Sequence, residues 1–229
     1  MVPLKPLVRA KSRLSGAAGD KFRPRLALAF ALDTVTAALA CRNVRDVAVV
    51  TDDRLAGERL AALGARIVPD TPGRGLNAAL SHGAGAVRAR RPGAALAALN
   101  ADLPALRPAE LELVLHSASL FPRAFLADAA DIGTTLLTAT SGTELEPAFG
   151  GASRARHLAS GAREITAPGA PSVRRDVDTA EDLLAALALG VGPHTARWAP
   201  RLAGGAATGH GAPGEPEPLR PPQVRASGA

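Results

Sequence analysis

The chain has 229 residues, enough for one α/β domain with a sizeable core or at most two small ones. Hydrophobic residues make up 47% of it and aromatic residues 3%, so a core must be built from Ala, Leu and Val rather than from rings. One cysteine, Cys41, excludes an internal disulfide and leads us to expect an intracellular, cytoplasmic setting. No apolar run approaches the ~20 residues that span a bilayer, and Pro3 and Lys5 interrupt any signal-peptide pattern, so no membrane partner is expected.

The formal charge is +6, and it is concentrated near the start. Lys5, Arg9, Lys11, Arg13, Lys21, Arg23 and Arg25 face one acid, Asp20, in that stretch. There is no Tyr and one Trp, so base-stacking platforms are scarce. A local basic cluster of this kind suits a small polyanion such as a nucleoside triphosphate better than a long duplex, and nucleic acid is not an expected partner.

Val2 to Leu4 reads as the last part of a strand, and the expectation is that the natural start lies a few residues earlier. Lys5 to Leu14 follows as a basic loop. It lacks the GxxxxGK[ST] pattern of a P-loop, but its cations can hold phosphates by charge, Arg in bidentate fashion. Leu28, Leu32, Val35 and Leu39 recur at helical spacing and predict a helix over 25–39, with Asp33 as a solvent-facing or capping side chain. Val44 to Thr51 reads as the second strand. Asp52 and Asp53 after it fit either a base or ribose contact or an N-cap for a helix over 54–63, and Asp53 suits the cap. Gly64 closes that helix.

A short strand, 65–68, leads into Asp70-Thr71-Pro72-Gly73-Arg74-Gly75-Leu76-Asn77. Gly73 and Gly75 let backbone approach a ligand closely. The amide of Asn77 can read a purine edge or cap the helix that runs from it to Arg88. Gly93 to Leu99 is the fourth strand. It ends abruptly in Asn100-Ala101-Asp102, with Pro104 blocking further pairing. A lone carboxylate at the C-terminal end of a buried strand is well placed to hold a metal ion, because ligands of open α/β sheets sit at that edge.

Pro108 opens a helix with Glu110 to Leu115, strands follow at 123–127 and 135–138, and Phe149-Gly150-Gly151-Ala152-Ser153 precedes a helix over 154–159. Gly-Gly-x-Ser in that place fits an anion nest. His157 reads as a packing or loop-bonding residue rather than a catalytic one. In Val173 to Thr179, Asp176 and Asp178 are one residue apart, so extended backbone puts both carboxylates on one face, where they suit a divalent cation. Asp178 or Thr179 also suits the cap of a helix over 180–189. From residue 201 to 229 the periodicity is lost, which predicts a disordered Pro/Gly-rich tail after one domain over 1–200.

Six stretches in this order, ValProLeuLysPro with AlaLysSerArgLeu, AspThrProGlyArgGlyLeuAsn, AsnAlaAspLeuPro, GlyThrThrLeuLeu, PheGlyGlyAlaSerArgAlaArgHis and ArgAspValAspThrAlaGluAspLeu, resemble the guanylyltransferase family of coenzyme F-420 biosynthesis. Its members act on 2-phospho-L-lactate or, in actinobacteria, phosphoenolpyruvate. The resemblance covers residues 2–200, and an Ala- and Arg-rich chain with three Lys fits the actinobacterial kind. It implies a Rossmann-like nucleotidyltransferase fold, a mixed, mostly parallel sheet with helices on both faces, like that of the molybdenum-cofactor guanylyltransferases. It also implies GMP transfer from GTP to phosphoenolpyruvate with Mg2+.

Carried over by position, Asp102, Asp176 and Asp178 match the metal ligands, and Thr135, Gly150 and Ser153 the phosphoenolpyruvate-binding residues. Lys5, Lys11 and Arg13 lie where the GTP phosphates are handled, and Gly75 and Asn77 near the guanine. Ala101 stands where the family commonly has Gly. A homodimer, and passage of the product to the next transferase of the pathway, are further expectations. The competing readings are transfer to 2-phospho-L-lactate or 3-phosphoglycerate, a molybdenum-cofactor or sugar-phosphate nucleotidyltransferase, and a non-catalytic basic nucleotide- or nucleic-acid-binding protein.

Overall fold

The computed structural model describes residues 1–9, 22–71, 73–198 and 200. Lys11 and Arg13, and the expected tail over 201–229, lie outside these residues. Strands and helices alternate over residues 2–127 and less regularly after that. They are β1 (Val2–Pro3), α1 (Arg23–Ala40), β2 (Ala48–Val50), α2 (Arg54–Ala61), β3 (Arg66–Val68), α3 (Leu76–Arg90), β4 (Leu96–Leu99), α4 (Pro108–Ala118), β5 (Arg123–Ala127), β6 (Thr134–Ala139), α5 (Ser153–Ala159), β7 (Arg163–Glu164), α6 (Pro171–Arg174), α7 (Ala180–Leu189) and α8 (Pro193–Ala196).

β1 and β3 flank β2 in parallel. β6 runs antiparallel to both β4 and β5, and β7 adds in parallel to β5. The two groups meet at β1 and β4. The Met1 amine donates to the Ala97 carbonyl (2.5 Å), and the Leu99 N–H donates to the Met1 carbonyl (2.9 Å). That spacing, one residue either side of Ala98, is the pattern of a parallel ladder. The strand order is therefore β3-β2-β1-β4-β6-β5-β7, with β6 the reversed strand. This is the mixed, mostly parallel sheet expected from the sequence.

Period-two alternation sorts the strand residues onto two faces. Val49, Leu99, Ala124, Leu126 and Leu136 pack in one apolar cluster with Ala31 and Val35 of α1, Leu60 of α2 and Val114 of α4. Ala48, Val50, Leu96, Ala98, Phe125 and Leu137 pack in the other with Leu80, Ala84 and Val87 of α3. Helices thus cover both faces, as parallel strands buried on both sides require. A third cluster joins Leu26 and Phe30 of α1 to Val177 and to Leu183 and Ala186 of α7.

Element boundaries differ from the sequence reading where turns consume expected strand. β2 begins at Ala48 rather than Val44, because Val44 donates its N–H to Cys41 and closes a turn. β4 begins at Leu96 rather than Gly93, because Ala94 turns back onto Arg91. The segment carrying Asp176 and Asp178 is irregular backbone between α6 and α7 rather than a strand. Asp33 is buried, not solvent-facing: its carboxylate takes the N–H groups of His194 (3.0 Å) and Thr195 (2.7 Å) and so caps α8.

Candidate active site

The C-terminal ends of β1, β2, β3 and β4 converge on one edge, together with the start of the reversed strand β6. At the end of β2, Asp53 caps α2 by accepting from the Ala56 N–H (3.0 Å), as the sequence suggested. Its other oxygen accepts from the Leu7 N–H (2.8 Å), which ties the basic loop after β1 to this edge. Lys5 is exposed there. Asp52 accepts from the Asp70 N–H (2.8 Å), joining the ends of β2 and β3. In the loop to α3, Gly73 and Gly75 have φ of 54° and 97°, a region that favours glycine. Gly75, not Asn77, is the residue that precedes the helix.

β4 delivers Asn100, Ala101 and Asp102 with their backbone held on three sides. The Asn100 N–H donates to the Thr135 carbonyl (2.9 Å), and the Thr34 hydroxyl accepts from the Leu103 N–H (3.0 Å) while its one proton is shared between the Phe30 carbonyl (2.8 Å) and the Ala101 carbonyl (3.2 Å). The Val177 N–H donates to the Asp102 carbonyl (3.1 Å). This last bond places Asp176 and Asp178 on either side of the residue bound to Asp102. Val177 is buried in the core between a half-buried Asp176 and an exposed Asp178. Thr179, rather than Asp178, caps α7, in a capping box with Asp182. The Ala101 methyl packs against the larger apolar cluster and so faces the core.

Carboxylate oxygens are the donor class that a hard cation such as Mg2+ takes, and the Val177–Asp102 bond holds the two acidic segments side by side. Among the described residues, however, no three such side chains stand close enough together to hold a metal ion as they are.

Thr135 is fully buried at the start of β6, and its hydroxyl has no hydrogen-bond partner among the described residues. Its neighbour Thr134 bonds His157 Nδ1 (2.9 Å), and His157 Nε2 accepts the Ala148 N–H (3.0 Å). A ring nitrogen that accepts from a backbone N–H is unprotonated, so the proton is on Nδ1 and is donated to Thr134. Burial first, and then the guanidinium groups of Arg156 and Arg123, lower the His157 pKa to about 4, which keeps the ring neutral. This is the loop-bonding histidine the sequence suggested.

The same helix, α5, begins at the buried Ser153. Arg156 donates Nε to the Ala148 carbonyl (3.1 Å) and a terminal nitrogen to the Gly150 carbonyl. Gly150 and Gly151 have φ of 99° and 46°. The start of β6 and the loop over 148–150 are therefore joined through His157 and Arg156 of α5. The amide of Asn77, which the sequence offered to a purine edge or a cap, is bonded instead to the backbone of Phe149. No sequence signal pointed to this pairing, nor to that of Thr34 with the Asp102 loop. A cleft of about 910 Å3, lined by Met1, Asn43, Asp46, Arg91 and His116 among others, lies at the opposite end of the sheet, away from this chemistry.

A mixed sheet of this order, with acidic side chains at the strand ends, is the fold of a nucleotidyltransferase. A nucleotide-diphospho-sugar transferase from Desulfovibrio desulfuricans superposes with a TM-score of 0.57 at 16% identity, covering 80% of this chain and 82% of that one. The CMP:2-keto-3-deoxy-manno-octonic acid synthetase complexed with CTP superposes at 0.51 with 18% identity, over 82% and 95%. The profile of the family described as "Guanylyl transferase CofC like" matches residues 1–204, and the chain belongs to that family. The phosphoenolpyruvate guanylyltransferase of Streptomyces coelicolor is 68% identical over 202 residues, 88% of this chain and 95% of that protein. The phosphoenolpyruvate guanylyltransferase of Thermomonospora curvata is 57% identical over 202 residues, 88% of each.

Proposed function

We propose that the chain transfers GMP from GTP to phosphoenolpyruvate, giving enolpyruvyl-2-diphospho-5'-guanosine and pyrophosphate, in the cytoplasm and as a step of coenzyme F-420 biosynthesis. The observation that carries this reading is the 68% identity over 202 residues to a phosphoenolpyruvate guanylyltransferase. A phosphate oxygen of the acceptor attacks the α-phosphorus of GTP, and the bond from that phosphorus to the β-phosphate oxygen breaks. The attacking oxygen is already anionic, so no general base is needed, and catalysis rests on alignment and on offsetting charge.

In this reading Lys5, Lys11 and Arg13 hold the triphosphate and offset charge on the leaving pyrophosphate. Gly75 lets backbone approach the guanine. Thr135, Gly150 and Ser153 orient the acceptor, and the buried, unpartnered Thr135 hydroxyl supports a polar ligand there. The family resemblance gives Mg2+ to Asp102, Asp176 and Asp178, whose carboxylates do not stand together as they are; when bound there it would supply charge neutralisation at the reacting phosphates. The homodimer and the hand-over of product to the next transferase rest on the family resemblance alone.

Pyrophosphate release tests the reading directly. The chain, GTP and Mg2+ are incubated with phosphoenolpyruvate, 2-phospho-L-lactate or 3-phosphoglycerate. Release is expected with phosphoenolpyruvate. A higher kcat/KM with either other acceptor would reassign the substrate, and no release with any of them would remove the activity.

A further inference from the structure

We propose that Asn77 is a positioning residue for the acceptor rather than a reader of the nucleotide base, an inference that rests on the guanylyltransferase reading. The side-chain Nδ2 of Asn77 donates to the Phe149 carbonyl (3.2 Å), and the Phe149 N–H donates to Asn77 Oδ1 (2.8 Å). The amide therefore meets donor and acceptor of one residue at once, as a neighbouring strand would. Two bonds to one residue set the orientation of its flanking peptides as well as their distance.

That orientation carries into the acceptor segment. Phe149 is succeeded by Gly150 and Gly151, with φ of 99° and 46°, and then by Ser153 at the start of α5. The path of the chain through these residues starts from the Phe149 backbone. From its own side the loop is held at Ala148 by His157 and Arg156, and at Gly150 by Arg156. Asn77 supplies the hold from across the site, 72 residues away in sequence.

Asn77 is also the second residue of α3 and lies two residues after Gly75, in the loop given to the guanine. It thus ties the nucleotide side of the site to the acceptor side. A base edge could take these two heteroatoms only in competition with Phe149, and that would loosen the acceptor loop as GTP bound.

The test is steady-state pyrophosphate release by Asn77→Ala and Asn77→Asp, together with hydrogen exchange at the Phe149 amide. Asn77→Ala is expected to raise KM for phosphoenolpyruvate about tenfold while KM for GTP moves less than about threefold. Asn77→Asp keeps the acceptor for the Phe149 N–H but loses the donor, and should fall between wild type and Asn77→Ala. The Phe149 amide should lose protection in Asn77→Ala without a change in the core amides of β4 and β6, which excludes general unfolding as the cause. A rise in KM for GTP with weakened preference for GTP over ATP would overturn the proposal, as would unchanged constants for both substrates. Wild-type protein that released no pyrophosphate with any acceptor would sink the guanylyltransferase reading instead, and exchange at Phe149 would still decide whether Asn77 holds the loop.

Discussion

At the scale of single residues, the site depends on side chains whose partners fix their chemical state. His157 is fully buried, accepts from the Ala148 N–H and donates to Thr134, so protonation would turn Nε2 into a second donor facing a donor. Its native pKa of about 4 lies below the ~6.5 of an unfolded His. The unfolded chain therefore takes up the proton first on acidification. The stability that His157 contributes is complete above about pH 6.5, falls between about 6.5 and about 4, and is level below, a loss on the order of 3 kcal/mol. Urea midpoints from pH 7 to pH 4 should show this slope in wild type, and the difference from His157→Gln should isolate it. A parallel pair of profiles would refute it. Asp102 offers the opposite kind of test. Its backbone carbonyl, not its carboxylate, receives Val177, so Asp102→Asn should keep the melting temperature within a few degrees while kcat falls about a hundredfold or more. Wild-type turnover in that variant would remove the metal role.

At the scale of elements, helices are docked by buried polar contacts as much as by apolar stripes. Asp33 sits in the middle of α1 and caps α8, bringing the end of the described chain back onto the first helix. The backbone of Gly192 lies so close that a Cβ there would meet the Asp33 carboxyl carbon at 2.4 Å, which explains glycine at that position. Asp33→Ala would leave the N–H groups of His194 and Thr195 without their acceptor, at a cost of about 1–3 kcal/mol. Chemical denaturation should show that loss together with early exposure of α8, and Asp33→Asn should restore part of it. Glu110 does similar work for the acidic segment. It is buried in α4 and accepts the Ser172 N–H (2.8 Å), so α6 and the residues leading to Asp176 are anchored to the core.

At the scale of the whole molecule, the +6 charge is a property of distribution rather than of surface area. Leu7, just after β1, is bound to Asp53 at the strand-end edge, and the exposed Lys5 two residues before it adds a positive charge beside whatever binds there. Filter binding at physiological salt is therefore expected to retain GTP and not duplex DNA. Retention of DNA in preference to GTP would favour a basic binding protein instead.

Much of this organisation was legible in the chain. The helix over 180–189 and the strand over 123–127 were read to the residue, and α1 within two, because apolar period is a local property that needs no partner to be seen. The Asp53 cap and the strand-end place of Asp102 were legible for the same reason, since each follows from neighbours in sequence. The tertiary structure alone decided which distant group each polar side chain meets. Asn77 looked like a cap or a base reader until the loop after β6 brought Phe149 to it across 72 residues, and Asp33 fitted a solvent-facing or a capping side chain until α8, returning across 161, made it a buried cap. Sequence patterns set where a side chain leaves the backbone. Its partner is set by the order in which strands join the sheet, and that order is fixed by packing between segments remote in sequence.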